Sequence, residues 1–320
     1  EGEAARERVL EFYLWWAKAA DDWLRWLPGR PEPERFADRA GALAWLDSER
    51  AGLVAAVQWV REARFAGMAV LLSQCLAEYL DWRRLFDEKI TVCGVAQEAA
   101  HRAGDRVAEA SAWTSLGIAL RETGRSEEAI VAHTRARDLF QAAGDRHREA
   151  MAWNNLGFAL GEAGRVREAV DAHTRARTLY QAVGDRHGEA RALGNLGLVL
   201  GEGRAEEAIG MHTQARDLFQ AVGDRHGEAM AWGNLGTALR ETDRVEEAVE
   251  AYAKALKGYR EFEDWYRAGG TLYNLAIAHL HAARPAEARI CYLQSADAYS
   301  RANAPTEAAK ARTWAEQITP

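Results

Sequence analysis

GDRHREAMAWNNLGFALGEAG, residues 144–164, recurs almost unchanged as GDRHGEARALGNLGLVLGEG from Gly184 and as GDRHGEAMAWGNLGTALRETD from Gly223. A weaker copy runs from Gly104 through Trp113, Leu116 and Gly117. A drifted one carries Leu272, Leu275 and Ala276. The Gly-Asp-Arg marks at 104, 144, 184 and 223 are 40, 40 and 39 residues apart. A fixed period of that length is the signature of a solenoid, in which each unit buries its apolar face against the next.

Within each copy the apolar residues recur at helical spacing, and glycine rather than proline punctuates them. No proline occurs between Pro33 and Pro285. The second unit therefore predicts two antiparallel helices, over 107–122 and 126–142. Gly124, Gly164 and Gly203 stand where a helix end favours a left-handed residue, as do Gly144 and Gly184. Asp145 and Asp185 are placed to cap the next helix, with Glu149 and Glu189 in its first turn. Run backwards, the frame sets Leu76, Leu80 and Ala96 at core positions, so 67–81 and 84–103 form a degenerate first repeat.

Ahead of the array, 5–27 reads as an aromatic-faced helix through Leu10, Tyr13, Trp16, Ala20, Trp23 and Leu27. Trp15, Trp16, Trp23 and Trp26 read as core packing rather than as a ligand box. A second helix over 41–63 carries Leu46, Leu53, Val57 and Val60 on one face. At the other end, Pro305 and Thr306 open a helix to Ile318, with Lys310, Arg312 and Glu316 as the polar face of a cap.

The residues Trp153, Leu156, Gly157, Leu160, Ala169, His173 and Ala176, and again Trp232, Leu235, Gly236, Leu239, Ala248, Tyr252 and Ala255, resemble the signature of the tetratricopeptide repeat. The long period resembles the roughly 40-residue branch of that family. The family's proline near the end of the second helix is missing. Ala44 to Val57, AWLDSERAGLVAAV, is similar to the segment that precedes the repeats of bacterial STAND ATPases and AfsR-like regulators. The implied fold is all-α: a right-handed superhelix, or α-solenoid. Its expected parts are a helical flank over 1–64, an array over 65–303 and a capping helix over 304–320. The resemblance at Ala44 to Val57 implies the sensor part of a longer signalling ATPase, and the start at Glu1 without a methionine or signal-peptide pattern is what a fragment of a longer protein is expected to show.

Bulk chemistry narrows the function. The net charge is −7, and arginine is interleaved with Asp and Glu, so no basic field exists to hold nucleic acid. No apolar run approaches the roughly 20 residues that span a bilayer, so no membrane is expected. Cys75, Cys93 and Cys291 form no C-x-x-C pair, which suits free thiols in the reducing cytoplasm. There is no phosphate-binding G-x4-G-K-[ST], no G-x-S-x-G and no H-E-x-x-H. His147 and Glu149 lack the C-x-x-C that a zinc deaminase pairs with H-x-E. His279 and His281 lie two apart and point to different helix faces. His133, His173 and His212 take the family's aromatic place and read as buried packing. No enzyme, metal or cofactor is expected.

What remains is binding. In the expected superhelix the first helices line a concave face. Its sixth signature position supplies Ser115, Asn155, Asn195, Asn234 and Asn274. An asparagine amide donates and accepts at once, as an extended peptide requires, although it can equally bond within its own repeat. The ninth position supplies Ile118, Phe158, Leu198, Thr237 and Ile277, an apolar strip for a partner or for the array's own curvature. Arg121 and Arg240 at the twelfth position, with Glu122, Glu162, Glu202 and Glu241 at the thirteenth, favour a ligand with basic residues, unless the Glu row is a solvated face. The expected function is capture of a protein or peptide; the alternative is self-assembly into homo-oligomers through the repeated surface.

Overall fold

A computed structural model describes residues 2–26, 31–59 and 65–318, and among the described residues there is helix but no strand. Leu27 and Val60, assigned above to helix faces, lie outside them. The chain divides into two compact units, residues 1–165 and 166–320.

The first unit runs α1 (Gly2–Leu24), α2 (Arg39–Trp59), α3 (Ala66–Trp82), α4 (Phe86–Ala103), α5 (Arg106–Glu122), α6 (Ser126–Ala142) and α7 (Arg146–Glu162). The second runs α8 (Val166–Val183), α9 (Arg186–Leu200), α10 (Ala205–Val222), α11 (Arg225–Glu241), α12 (Val245–Glu261), α13 (Trp265–His281), α14 (Pro285–Arg301) and α15 (Pro305–Gln317). From α3 onward, successive helices within a unit pack as neighbours. First helices also stand side by side, α3 with α5 and α5 with α7, then α9 with α11 and α11 with α13.

Each Gly-Asp-Arg mark is a stop followed by a start. Gly104, Gly124, Gly144, Gly164, Gly184 and Gly223 are left-handed, with φ between 70° and 76°. Asp105, Asp145, Asp185, Asp224 and Asp264 each cap the next helix, accepting from the amide three residues on at 2.8–3.1 Å. Gly203 departs from expectation. It lies in a 3-10 turn, Glu202–Arg204, and α9 ends at Leu200. The 39-residue repeat has lost one residue here, and Gly201, at φ 48° and ψ −152°, turns the chain instead. Later stops use Asp243, Glu263, Ala283 and Asn303 at φ 54–57°.

The histidine after each of the last two marks has a role that the spacing did not reveal. His187 Nε2 lies 2.9 Å from Asp224 Oδ2, and His226 Nε2 lies 3.0 Å from Asp264 Oδ2, so each ties one repeat to the cap of the next. The recurrence of His in GDRH was the available signal. Replacing Asp224 by Ala removes both the cap and this link. We expect a loss of about 1–2 kcal/mol, measured as a lower urea midpoint with an unchanged m-value. An unchanged midpoint contradicts the cap.

Packing follows from small residues at fixed places. Gly117 lies under the His133 ring, Gly197 under His212 and Gly236 under Tyr252. A Cβ there would meet the ring at 2.5, 2.4 and 2.7 Å. Ala129, Ala136, Ala248 and Ala255 are fully buried where second helices approach their neighbours.

In the flank, Leu10, Ala17, Trp23, Leu46, Leu53 and Tyr79 share one core. Trp16 packs on Phe36 and Trp45. Trp15 is not core. It is half exposed, and the Arg35 guanidinium lies 3.0 Å from its ring centre, because its place on α1 faces away from α2 and α3. Asp47 accepts from Tyr79 Oη at 2.9 Å and from Arg83 Nε at 2.9 Å, binding α2 to the first hairpin. Gly52 lies against the Tyr13 ring, which leaves no room for a side chain. At the far end, α15 buries Ala308, Ala311 and Ala315 and exposes Lys310, Arg312 and Glu316. Among the described residues no helix is long and apolar enough to cross a membrane.

Candidate functional site

The predicted ligand-binding positions lie on the first helices, on faces left partly open between neighbours. In the first unit, Ile118 and Arg121 on α5 stand beside Asn155, Phe158 and Glu162 on α7. In the second, Asn195 and Leu198 on α9 precede Asn234, Thr237, Arg240 and Glu241 on α11, then Asn274 and Ile277 on α13. Glu202 lies outside the described side chains.

The asparagines divide. Asn155, Asn234 and Asn274 are half-buried, and no described residue bonds to their amides. Asn195 is engaged within the protein. The apolar strip is half-buried at Ile118, Phe158 and Ile277, and opens at Leu198, which is 54% exposed. Thr237 is not available in the same way. Its hydroxyl donates to the Gly233 carbonyl at 3.3 Å and accepts from Tyr252 Oη at 3.1 Å, so it serves the hairpin itself.

The charges are paired inside the array. Arg121 donates to Glu162 Oε1 at 2.7 Å and also bonds Glu122, while its guanidinium lies 5.9 Å from the Phe158 ring centre. One arginine thus gathers three of the predicted site residues from two repeats. Arg240 lies 3.8 Å from Glu241. The Arg121–Glu162 pairing was not legible from position within a repeat, since Arg121 reaches a residue 41 further along the chain.

The ring positions are filled by His133, His173 and His212, each at most 2% exposed. Burial holds all three imidazoles well below the ordinary histidine value, at about 4, and the nearby Arg121 charge adds to the shift at His133. They are neutral spacers at neutral pH. Among the described residues no group of three or more His, Cys, Asp or Glu side chains is placed to hold a metal. Cys75, Cys93 and Cys291 are buried free thiols.

Within each unit, stacked hairpins with glycine beneath a ring and alanine at the close approaches define a helical-repeat packing. Residues 148–221 and 200–261 match the tetratricopeptide repeat family model, so the chain carries tetratricopeptide repeats over that stretch. Comparison with curated proteins gives no match. Among solved structures, BtubC (BKLC) from P. vanneervenii superposes with a TM-score of 0.61 at 18% identity, over 68% of this chain and 92% of that one. A Rap protein complexed with competence and sporulation factor gives 0.61 at 15% identity, over 88% and 79%. A Signal Transduction ATPase with Numerous Domains (STAND) with a tetratricopeptide repeat sensor, from Pyrococcus horikoshii, gives 0.60 at 14%, over 87% of this chain and 52% of that one. At these identities the likeness is one of fold.

Proposed function

We propose that this chain is a non-enzymatic recognition module that holds an extended polypeptide against its first helices, as the sensor part of a larger signalling ATPase. The observation that carries the reading is the pair of unbonded, half-buried amides of Asn234 and Asn274 within the second unit; Asn155 presents the same group within the first. A helix gains little from an interior asparagine, and a partner strand supplies the donor and acceptor that the amide lacks. Leu198 and Ile277 add apolar surface in that second unit, as Ile118 and Phe158 do in the first. The structure of a Rap protein with competence and sporulation factor, and that of a STAND protein with a repeat sensor, support a fold suited to such capture.

Charge enters second. Glu162 and Glu241 already face Arg121 and Arg240, so a basic ligand competes with pairs made inside the array. Binding through the amides therefore depends weakly on salt.

Asn234 and Asn274 lie on adjacent helices of one unit, which makes them the pair to change. Each lost amide contact costs about 1 kcal/mol, so Asn234→Ala with Asn274→Ala weakens binding of a selected peptide at least about tenfold by calorimetry. Thermal stability stays within about 0.5 kcal/mol, because no internal bond is removed. Equal affinity of the double variant and the parent contradicts the proposal.

A further inference from the structure

Three repeats place a tryptophan at the same point of the first helix: Trp113, Trp153 and Trp232. In two of them the array supplies a cation to the ring. The Arg137 guanidinium lies 4.5 Å from the Trp153 ring centre. Arg216 lies 4.6 Å from that of Trp232, with Lys254 Nζ at 4.1 Å. Arg137 and Arg216 each stand sixteen residues before their tryptophan, on the preceding second helix. The residue sixteen before Trp113 is Gln97.

Gln97 does not fill the place. Its amide donates to Glu109 Oε1 at 3.1 Å, and His101 Nδ1 lies 3.1 Å from the same oxygen and 3.2 Å from Oε2. Glu149 and Glu228, the equivalents of Glu109, instead accept from their own tryptophans' indole N–H at 3.4 Å. Among the described residues nothing bonds the Trp113 indole N–H and no cation stacks on its ring. A cleft of about 680 Å³ stands there, against about 330 Å³ for the cleft at Trp232.

We infer that the cleft at Trp113 is a binding site for the guanidinium of an arginine side chain carried by a polypeptide partner. The site has the two groups a guanidinium requires: an aromatic face open to cation–π contact, and the Glu109 carboxylate, mostly buried beside it. The neighbouring repeats identify the occupant, since at the same register the chain itself uses arginine. Arg106 and Arg135 also line the cleft, exposed and without a carboxylate partner among the described residues, and Asp138 is bonded to Arg137. These rim charges oppose entry of a loose cation, so contacts from the rest of the polypeptide are needed for tight binding. The site lies outside the asparagine faces and does not depend on the reading given for them.

The test follows the indole N–H resonance of Trp113, assigned with Trp113→Phe, as acetyl-Gly-Arg-Gly-amide is added to the full chain. Saturable movement in the millimolar range is expected, with a clearly weaker response to the lysine peptide and none to the alanine peptide. Gln97→Arg rebuilds the stack found at Trp153 and Trp232 from within. Gln97 is half-buried in the cleft wall, so the fold of the variant is checked by its circular dichroism and thermal midpoint, and the folded variant's response falls at least about tenfold. No movement at about 50 mM peptide, an equal response to lysine or alanine, or an unchanged response in Gln97→Arg overturns the inference.

Discussion

Acidification from about pH 7 to about pH 4 removes most of the stability of the repeats that carry His133, His173 and His212. Each ring is neutral and buried when folded, with a pKa of about 4, and titrates near 6.5 once the chain unfolds. Between those values the unfolded chain binds protons that the folded chain cannot accept. The stabilisation is therefore complete above about pH 6.5 and is lost as pH falls toward 4. A shift of this size is worth about 3 kcal/mol per ring. Three such rings together approach the stability of a whole domain, although solenoid repeats do not share it evenly. Exposed carboxylates paired with arginine, such as Asp47 with Arg83, weaken the fold further at lower pH. The histidine effect begins earlier, and that separates the two. Urea midpoints followed by circular dichroism should fall steeply between about pH 6.5 and 4.5 in the parent. They should stay nearly level in the triple variant His133→Phe, His173→Phe and His212→Phe. A parent midpoint that does not move over this range contradicts the buried neutral state. Phe is the proper replacement because Tyr252, the equivalent ring two repeats after His173, bonds Thr237, whereas position nine is Ile118, Phe158 or Leu198 in the histidine repeats.

The sequence period carries most of the fold because the forces that set it are local. Asp145 caps and Gly144 terminates by contacts made within a few residues, so α6 ends where the spacing puts it, at Ala142. The end of α9 was missed because Gly203 keeps its place in the quoted motif, while the deletion that shortens the repeat moves the turn to Gly201. Trp15 was misplaced for another reason. Helical spacing defines faces, but it does not say how wide an arc α2 and α3 cover.

At the candidate site the register was legible and the partners were not. Asn155, Leu198 and Glu162 fall on the first helices as expected. Whether a side chain is available depends on what the next repeat brings to it, and that is set by the rotation between hairpins. Thr237 is taken by Tyr252, and Glu162 by Arg121. Trp113 is left without the arginine given to Trp153. None of these follows from any single repeat.

Gly197 and Gly194 lie one turn apart on α9, and substitution by alanine should move stability in opposite directions. Nothing lies within 4 Å of where a Cβ at Gly194 would stand, so Gly194→Ala gains about 0.5–1 kcal/mol from backbone entropy and helix propensity. At Gly197 the same methyl would stand 2.4 Å from His212 Cε1. The ring is buried on α10 and has no open side to retreat into, so α9 and α10 must separate. Overpacking of this kind costs about 1–3 kcal/mol, and Gly197→Ala is destabilising by that amount after its propensity gain is counted. The clash requires the ring. In a His212→Ala background, which is itself weakened by the cavity, Gly197→Ala should become stabilising, a coupling of about 2 kcal/mol or more in the double-mutant cycle. Additivity of the two changes would mean that the glycine is not held by the ring, and that its recurrence at Gly117, Gly197 and Gly236 has some other cause. If the coupling is found, the glycine and the ring that look most like a motif in this chain are spacers that set the distance between the two helices of a hairpin.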